Sequence, residues 1–237
     1  MSISKMIALP ALMLMAFCGL ALAQDAPVDL HPDAPKAKPA KDPKDSKDAK
    51  PAPKQAISAA EAVRRANSWL AGAQIMTADF VQIGPDGHRS EGKLYLERPG
   101  RMRFQFDPPD RLEIVADGRS VAVRDQKLDT QDLYLIGQTP LKFLLNETVD
   151  LAKDTHVLGV ETNENAVSIK IDDKATLGGE ARIEIVFDPT TFALKQWTVD
   201  DAQGLQTVVT LFNLDLTTKP DEGLFKIDEQ RMIGQKK

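Results

Sequence analysis

From Met76 to Leu216 the chain repeats one pattern that leaves little choice of fold. Apolar side chains recur at every second position, and the runs are broken every eight to twelve residues by Gly, Pro, Asn or Asp. The stretch 97–118, ERPGRMRFQFDPPDRLEIVADG, sets this out most fully. Met102, Phe104 and Phe106 fall on one side and Arg101, Arg103 and Gln105 on the other, the alternation of a strand with one dry and one wet face. Pro108 and Pro109 cannot continue a hydrogen-bonded ladder, so the chain turns there before Leu112, Ile114 and Val115 resume extended structure. Asp117-Gly118 reads as a tight hairpin, because glycine accepts the positive φ that such turns require. The same alternation joins Met76, Ala78 and Phe80, then Leu94 and Leu96, Val121 and Val123, and Leu133 to Ile136 into one meander. Residues 157–160, 167–171, 183–187, 194–199 and 208–216 form a second. The prediction is a mainly β fold of about 10 to 11 antiparallel strands, too many for one flat sheet, which is expected to curl.

Two segments break the two-residue period. Ser58-Ala59-Ala60-Glu61 reads as a capping box, with Ser58 capping a helix and Glu61 reaching back to it. Ala59, Ala62, Val63, Ala66, Leu70 and Ala73 then follow at helical spacing, giving a face of mostly alanine that buries little area per residue. The second break is Thr139-Pro140-Leu141-Lys142-Phe143-Leu144-Leu145. Thr139 is a candidate N-cap, Pro140 suits the first helical position, and Leu141, Leu144 and Leu145 share a face. From spacing alone this short helix either covers an opening or plugs the sheet as core.

Ahead of the alternating region the chain divides again. Residues 1–23 read as a signal peptide: Lys5 supplies the positive charge, Ile7 to Leu22 the apolar run, and Ala21-Leu22-Ala23 a small-x-small cleavage site. Pro10 and the shortness of the run argue against a spanning helix. Cys18, the one cysteine, follows Phe17, where a lipid-modified cysteine calls for small residues; it is expected to leave with the signal, and with it any disulfide, thiolate nucleophile or thiolate metal site. Residues 24–56 are an arm of Pro, Lys, Ala and Asp with only Val28 and Leu30 as large apolar residues before Ile57, a composition that cannot offset the entropy of ordering. The folded domain is expected over 57–237. Without the arm and Lys5 the chain carries 22 basic and 29 acidic residues, and this excess of acid argues against a nucleic-acid partner.

Nothing in the domain asks for catalysis. His88 and His156 lack metal-binding spacing, no GxSxG elbow or glycine-rich phosphate loop occurs, and Asp172-Asp173 and Asp200-Asp201 read as solvated turn residues. No cofactor, catalytic residue or metal is expected. Arg98-Pro99-Gly100, the aromatic Phe104, Pro109-Asp110 and Val115-Ala116-Asp117-Gly118, in this order and spacing, resemble the periplasmic outer-membrane lipoprotein carrier family of LolA type. The resemblance runs from about Ser58 to Lys226 and weakens after Val160.

That resemblance implies an unclosed β half-barrel with helices lidding its opening, and a monomeric periplasmic carrier that shelters the acyl chains of lipoproteins between the inner and outer membranes. Its partners are then acylated lipoproteins, an inner-membrane lipoprotein-releasing transporter and an outer-membrane acceptor if one exists. The expected acyl-chain cavity residues are Leu94, Leu96, Met102, Phe104, Phe106, Leu141, Leu144 and Leu145; each is equally compatible with packed core. Phe104 stands where many relatives carry tryptophan. Arg98 is expected as a lid latch bonding backbone carbonyls, against the plain reading of an exposed charge. Two rival readings are a related half-barrel that binds another lipid or acts as a signalling sensor, and an integral outer-membrane barrel. Outward Arg101, Arg103, Lys170 and Glu184 argue against the barrel.

Overall fold

The computed structural model describes residues 57–174, 176 and 178–227. The predicted signal sequence, its cleavage site, the arm to residue 56 and the chain beyond 227 lie outside the described residues.

Among the described residues, eleven strands follow one helix. Helix α1 (Ala59–Gly72) leads to β1 (Ile75–Ile83), β2 (Arg89–Glu97), β3 (Arg101–Phe106), β4 (Leu112–Asp117), β5 (Ser120–Asp125) and β6 (Thr130–Leu135). After an interruption carrying α2 (Lys142–Leu145) and α3 (Leu151–Asp154) come β7 (His156–Thr162), β8 (Val167–Asp173), β9 (Ala181–Phe187), β10 (Leu194–Asp200) and β11 (Gln206–Asp215). All pair in one antiparallel sheet in the order β6-β5-β4-β3-β2-β1-β11-β10-β9-β8-β7. Each half is a meander, and the halves join where β1 meets β11, so residues near the two ends of the domain lie side by side. Strands β6 and β7 end the sheet and do not pair with each other; the sheet is unclosed.

Register explains the interior. Ala78, Leu94, Phe104, Ile114 and Val123 lie on one continuous rung across the first half, and Val160, Ile169, Ile185, Trp197 and Val209 on another across the second. At the rung Phe80–Gly92–Phe106 a side chain is missing by necessity, since a Cβ on Gly92 would collide with the Gln105 carbonyl. Phe80 meets the rings of Phe104 and Phe106 edge-on, with centroids 5.0 and 5.1 Å apart. These residues form one core with α1, α2 and α3.

Helix α1 departs from its predicted cap in one respect. The Ser58 hydroxyl accepts from the Glu61 amide at 3.2 Å, but the Glu61 carboxylate turns to Arg64, with bonds of 2.8 and 2.7 Å, because a guanidinium fork three residues on is a stronger partner than a lone amide. Ala62, Val63, Ala66 and Leu70 are buried as the spacing predicts, whereas Ala59 is exposed at the helix start.

Candidate functional site

Between β6 and β7 the segment 136–155 packs its apolar side chains into the core against the sheet, as a strap. It is less helical than its sequence suggests. A 3-10 turn at Ile136–Gln138 comes first, and the Thr139 hydroxyl donates back to the Ile136 carbonyl at 2.9 Å instead of capping a longer helix. Helix α2 therefore starts at Lys142 with Leu141 before it and no side-chain cap. Helix α3, which the hydrophobic pattern did not announce, is capped by Asp150, whose carboxylate accepts from the Ala152 and Lys153 amides. Each helix has 4 residues, far short of what holds a helix together in water. The strap keeps its shape by burying Leu141, Phe143, Leu144, Leu145 and Leu151, and by the Asn67 side chain of α1, which donates to the Asp150 carboxylate and accepts from the Leu151 amide.

Under the N-terminal part of the strap lies a cavity of about 100 Å³. Phe104, Ile114, Val121 and Val123 line it from the first half of the sheet, Trp197 and Val209 from the second, and Thr139, Pro140 and Leu141 from above. Gln82, Asp201 and Thr207 are among its polar lining. Of the residues singled out from sequence, Phe104 and Leu141 line the cavity. Leu94, Leu96, Met102, Phe106, Leu144 and Leu145 are buried in the core around it. Trp197 was not among them; its ring is 6.2 Å from Phe104 and 6.1 Å from Phe143, bridging wall and strap. No local signal marks it, because only the β1–β11 pairing brings the two halves together.

Arg98 sits at the end of β2 and is only 7% exposed. Its Nη1 donates to the Asn146 carbonyl and its Nη2 to the Phe143 carbonyl, each at 3.4 Å, and its Nε has no hydrogen-bond partner among the described residues. Burial pulls its pKa down to about 10, so the guanidinium stays charged at neutral pH at a desolvation cost that two long bonds do not fully offset. Beside it the Gly100 amide donates to Leu145 O at 2.7 Å. Gly100 has φ 77°, and a Cβ there would lie 2.7 Å from Gly118 Cα. The RPG and ADG motifs are thus one structure: two glycines in contact let the β2–β3 and β4–β5 turns close together under the end of α2.

Asp172 and Asp173, read from sequence as solvated turn residues, lie inside β8 and are buried. Strand pairing runs through both, opposite Arg182 and Ala181, which moves the turn beyond them. Asp173 is 4% exposed, and the Lys142 ammonium of α2 lies 2.7 Å from its carboxylate. Asp172 meets His156 at 3.3 Å. Among the described residues no group of three or more His, Cys, Asp or Glu is arranged to hold a metal ion.

Comparisons with known proteins bear on this arrangement. The family described as "Outer membrane lipoprotein carrier protein LolA" matches residues 71–228, which contain every strand and the strap. The outer-membrane lipoprotein carrier protein of Methylococcus capsulatus is 32% identical over 171 residues, covering 68% of this chain and 81% of that protein. The protein of the same name from Legionella pneumophila (strain Lens) is 29% identical over 168 residues, covering 68% and 82%. Among solved structures, a LolA superfamily protein from Nitrosomonas europaea aligns with a TM-score of 0.42 at 11% identity, covering 73% of this chain and 99% of that one.

Proposed function

The chain belongs to the LolA family of outer membrane lipoprotein carrier proteins, and from that premise we propose that it takes the acyl chains of lipoproteins into the space beneath the strap and moves them from the inner to the outer membrane. The two relatives above are named as carriers, and the largely apolar lining of the cavity supports the same reading here. An acyl chain leaving a membrane loses about 0.8 kcal/mol per methylene exposed to water, and apolar contact without direction is enough to restore it.

The observation that carries this reading is the cavity walled by Phe104, Ile114, Val121, Val123, Trp197 and Val209 and closed over by the strap. At about 100 Å³ it is well below the roughly 300–1,000 Å³ of sites that hold even drug-sized ligands. In the proposal, the buried Leu141, Phe143, Leu144 and Leu145 take the place that acyl chains occupy on loading. Loading lifts the strap, and the apolar area the strap gives up is replaced by acyl chain. Arg98 acts as the latch: its bonds to the Phe143 and Asn146 carbonyls favour closure, so cargo binds against them, and the affinity stays moderate enough for delivery.

In this reading the chain is exported, cleaved after Ala23 and works in the periplasm. It receives cargo from an inner-membrane lipoprotein-releasing transporter and passes it to an outer-membrane acceptor if one exists. Mass spectrometry of what copurifies with the protein from periplasmic extract tests it. Triacylated proteins are the expected result; free phospholipid, or no acylated species, would contradict it.

A further inference from the structure

We propose that the cavity under the strap takes acyl chains whose polar end is neutral, an amide or an ester, and refuses those that end in an anion, with Asp201 setting the preference. The inference rests on the carrier reading and names the class of acyl group that the same space accepts. The acyl linkages of a lipoprotein are amide and ester and carry no charge. Phospholipids and free fatty acids, which compete for such a space at a membrane, bring a phosphate or a carboxylate.

The lining carries one formal charge, and it is negative. Among the described residues that wall the cavity, Asp201 is the sole ionised side chain, and none is lysine, arginine or histidine. The polar lining stands at both ends of the sheet. Tyr134, opposite Val121 where β6 runs into the strap, lies with Gln138 and Thr139 at one end. Gln82 near the end of β1, Thr207 of β11 and Asp201 in the β10–β11 turn are at the other. The side chains of Gln82, Tyr134, Gln138 and Thr207 have no hydrogen-bond partner among the described residues, so their neutral donors and acceptors are free for a ligand. The cations closest in the strap region are spent elsewhere: Arg98 on the Phe143 and Asn146 carbonyls, Lys142 on Asp173, and neither lines the cavity.

An anion is therefore refused at either end. Beside Tyr134 and Gln138 it gives up hydration and meets only neutral groups, which do not offset the cost of burying a charge. Beside Gln82 and Thr207 it meets the Asp201 carboxylate as well. That carboxylate is fixed in place: its Oδ1 accepts from the Gln203 and Leu205 amides at 2.9 Å each, and the Asp201 amide donates to the Leu205 carbonyl at 3.0 Å. It cannot swing away from an approaching anion without opening the turn. A neutral amide or ester, by contrast, can exchange its water for the glutamine amides and hydroxyls of the lining. Specificity of this kind comes from what a site rejects as much as from what it holds. Asp200, next in the chain, accepts from the Gln206 side chain at 2.9 Å and is outside the lining, which makes it the natural control.

The experiment is displacement of a neutral fluorescent probe, Nile red, from the mature chain by two ligands that differ in one group: N-dodecanoylglycinamide and N-dodecanoylglycine, each below its micelle concentration. The wild-type chain is expected to bind the amide about tenfold more tightly than the acid. Asp201→Asn keeps the oxygen that accepts the two turn amides and removes the charge. It is expected to narrow the ratio to about threefold, through tighter binding of the acid with the amide unchanged. Gln138→Lys, which puts a cation at the other end of the lining, is expected to reverse the preference, and Asp200→Asn to leave it as in wild type. Equal affinity of the wild-type chain for the two ligands, or a ratio that Asp201→Asn leaves unchanged, overturns the inference and leaves the carrier reading standing. If neither ligand displaces the probe, the carrier reading fails and the inference with it.

Discussion

The sheet and the strap present the same kind of side chain to the same interior, yet they are held there differently. Strands β1 to β11 are tied edge to edge by a continuous antiparallel ladder, and Phe80, Phe104, Trp197 and Phe187 are locked between rungs. The strap has two single-turn helices, and what fixes it to the rest is Arg98, the Gly100 amide, Lys142, Asn67 and five apolar side chains. Free energies of local opening are lowest where regular backbone bonding is least. The difference bears on the proposed function: a carrier of the kind proposed needs one wall that keeps its shape and one that moves, and the ladder and its interruption are the regions suited to those tasks.

The strongest way to probe the comparison is to injure the fixed wall. Trp197→Ala removes the ring that bridges Phe104 and Phe143 from a position 2% exposed, and is expected to cost about 3–5 kcal/mol by chemical denaturation. A loss below about 1 kcal/mol would mean that the wall yields as the strap does. The strap, if it is the wall that moves, should respond in the opposite manner. Arg98→Leu removes a desolvated charge with an orphaned Nε, so stability is expected to change by no more than about 1 kcal/mol, while delivery fails and loaded protein accumulates. A variant that loads and unloads as wild type would leave Arg98 without a latch role.

The smallest effect separates the regions by pH. The carboxylates of Asp188, in the β9–β10 turn, and Asp215, at the end of β11, are held far below the usual range. Asp188 is bonded chiefly by the Thr191 amide and then by Lys195, and Asp215 by Thr217 and Thr218. A depressed folded-state pKa stabilises the fold above the unfolded value near 4, and that contribution is lost as pH falls below it. A modest fall in melting temperature between about pH 4 and pH 2, shared out between Asp188→Asn and Asp215→Asn, is expected. A melting temperature that does not move there would show that these turns are already loose.

The same contrast governs how far the chain could be read before its structure was known. The ladder was legible because alternation is a local signal repeated many times, from Met76-Ala78-Phe80 to the last strand, and because proline and glycine mark the turns. The strap was legible only as a greasy interruption. Thr139 and Pro140 carry the composition of a helix start, but the chain spends them on a 3-10 turn, and α2 begins at Lys142. The Asp150 cap of α3 was there to be seen, yet one turn of helix leaves no period to detect. Asp173 was misplaced for a related reason: two adjacent aspartates read as a turn unless a distant lysine is known to stand opposite, and Lys142 arrives there only through the fold. Arg98 was legible through the family motif alone, since burial and carbonyl partners have no local signature.

Hydrogen exchange measured residue by residue tests the central claim most directly, because it reads the two walls in one sample. The amides of Leu144, Leu145 and Asn146, bonded within the strap, and of Gly100, bonded to Leu145 O, should exchange through openings that leave the β2–β3 and β10–β11 amides protected. Adding an acylated peptide should change the strap amides and leave the ladder as it was. Strap amides protected as strongly as the central strands, and unmoved by the acylated peptide, would contradict the account.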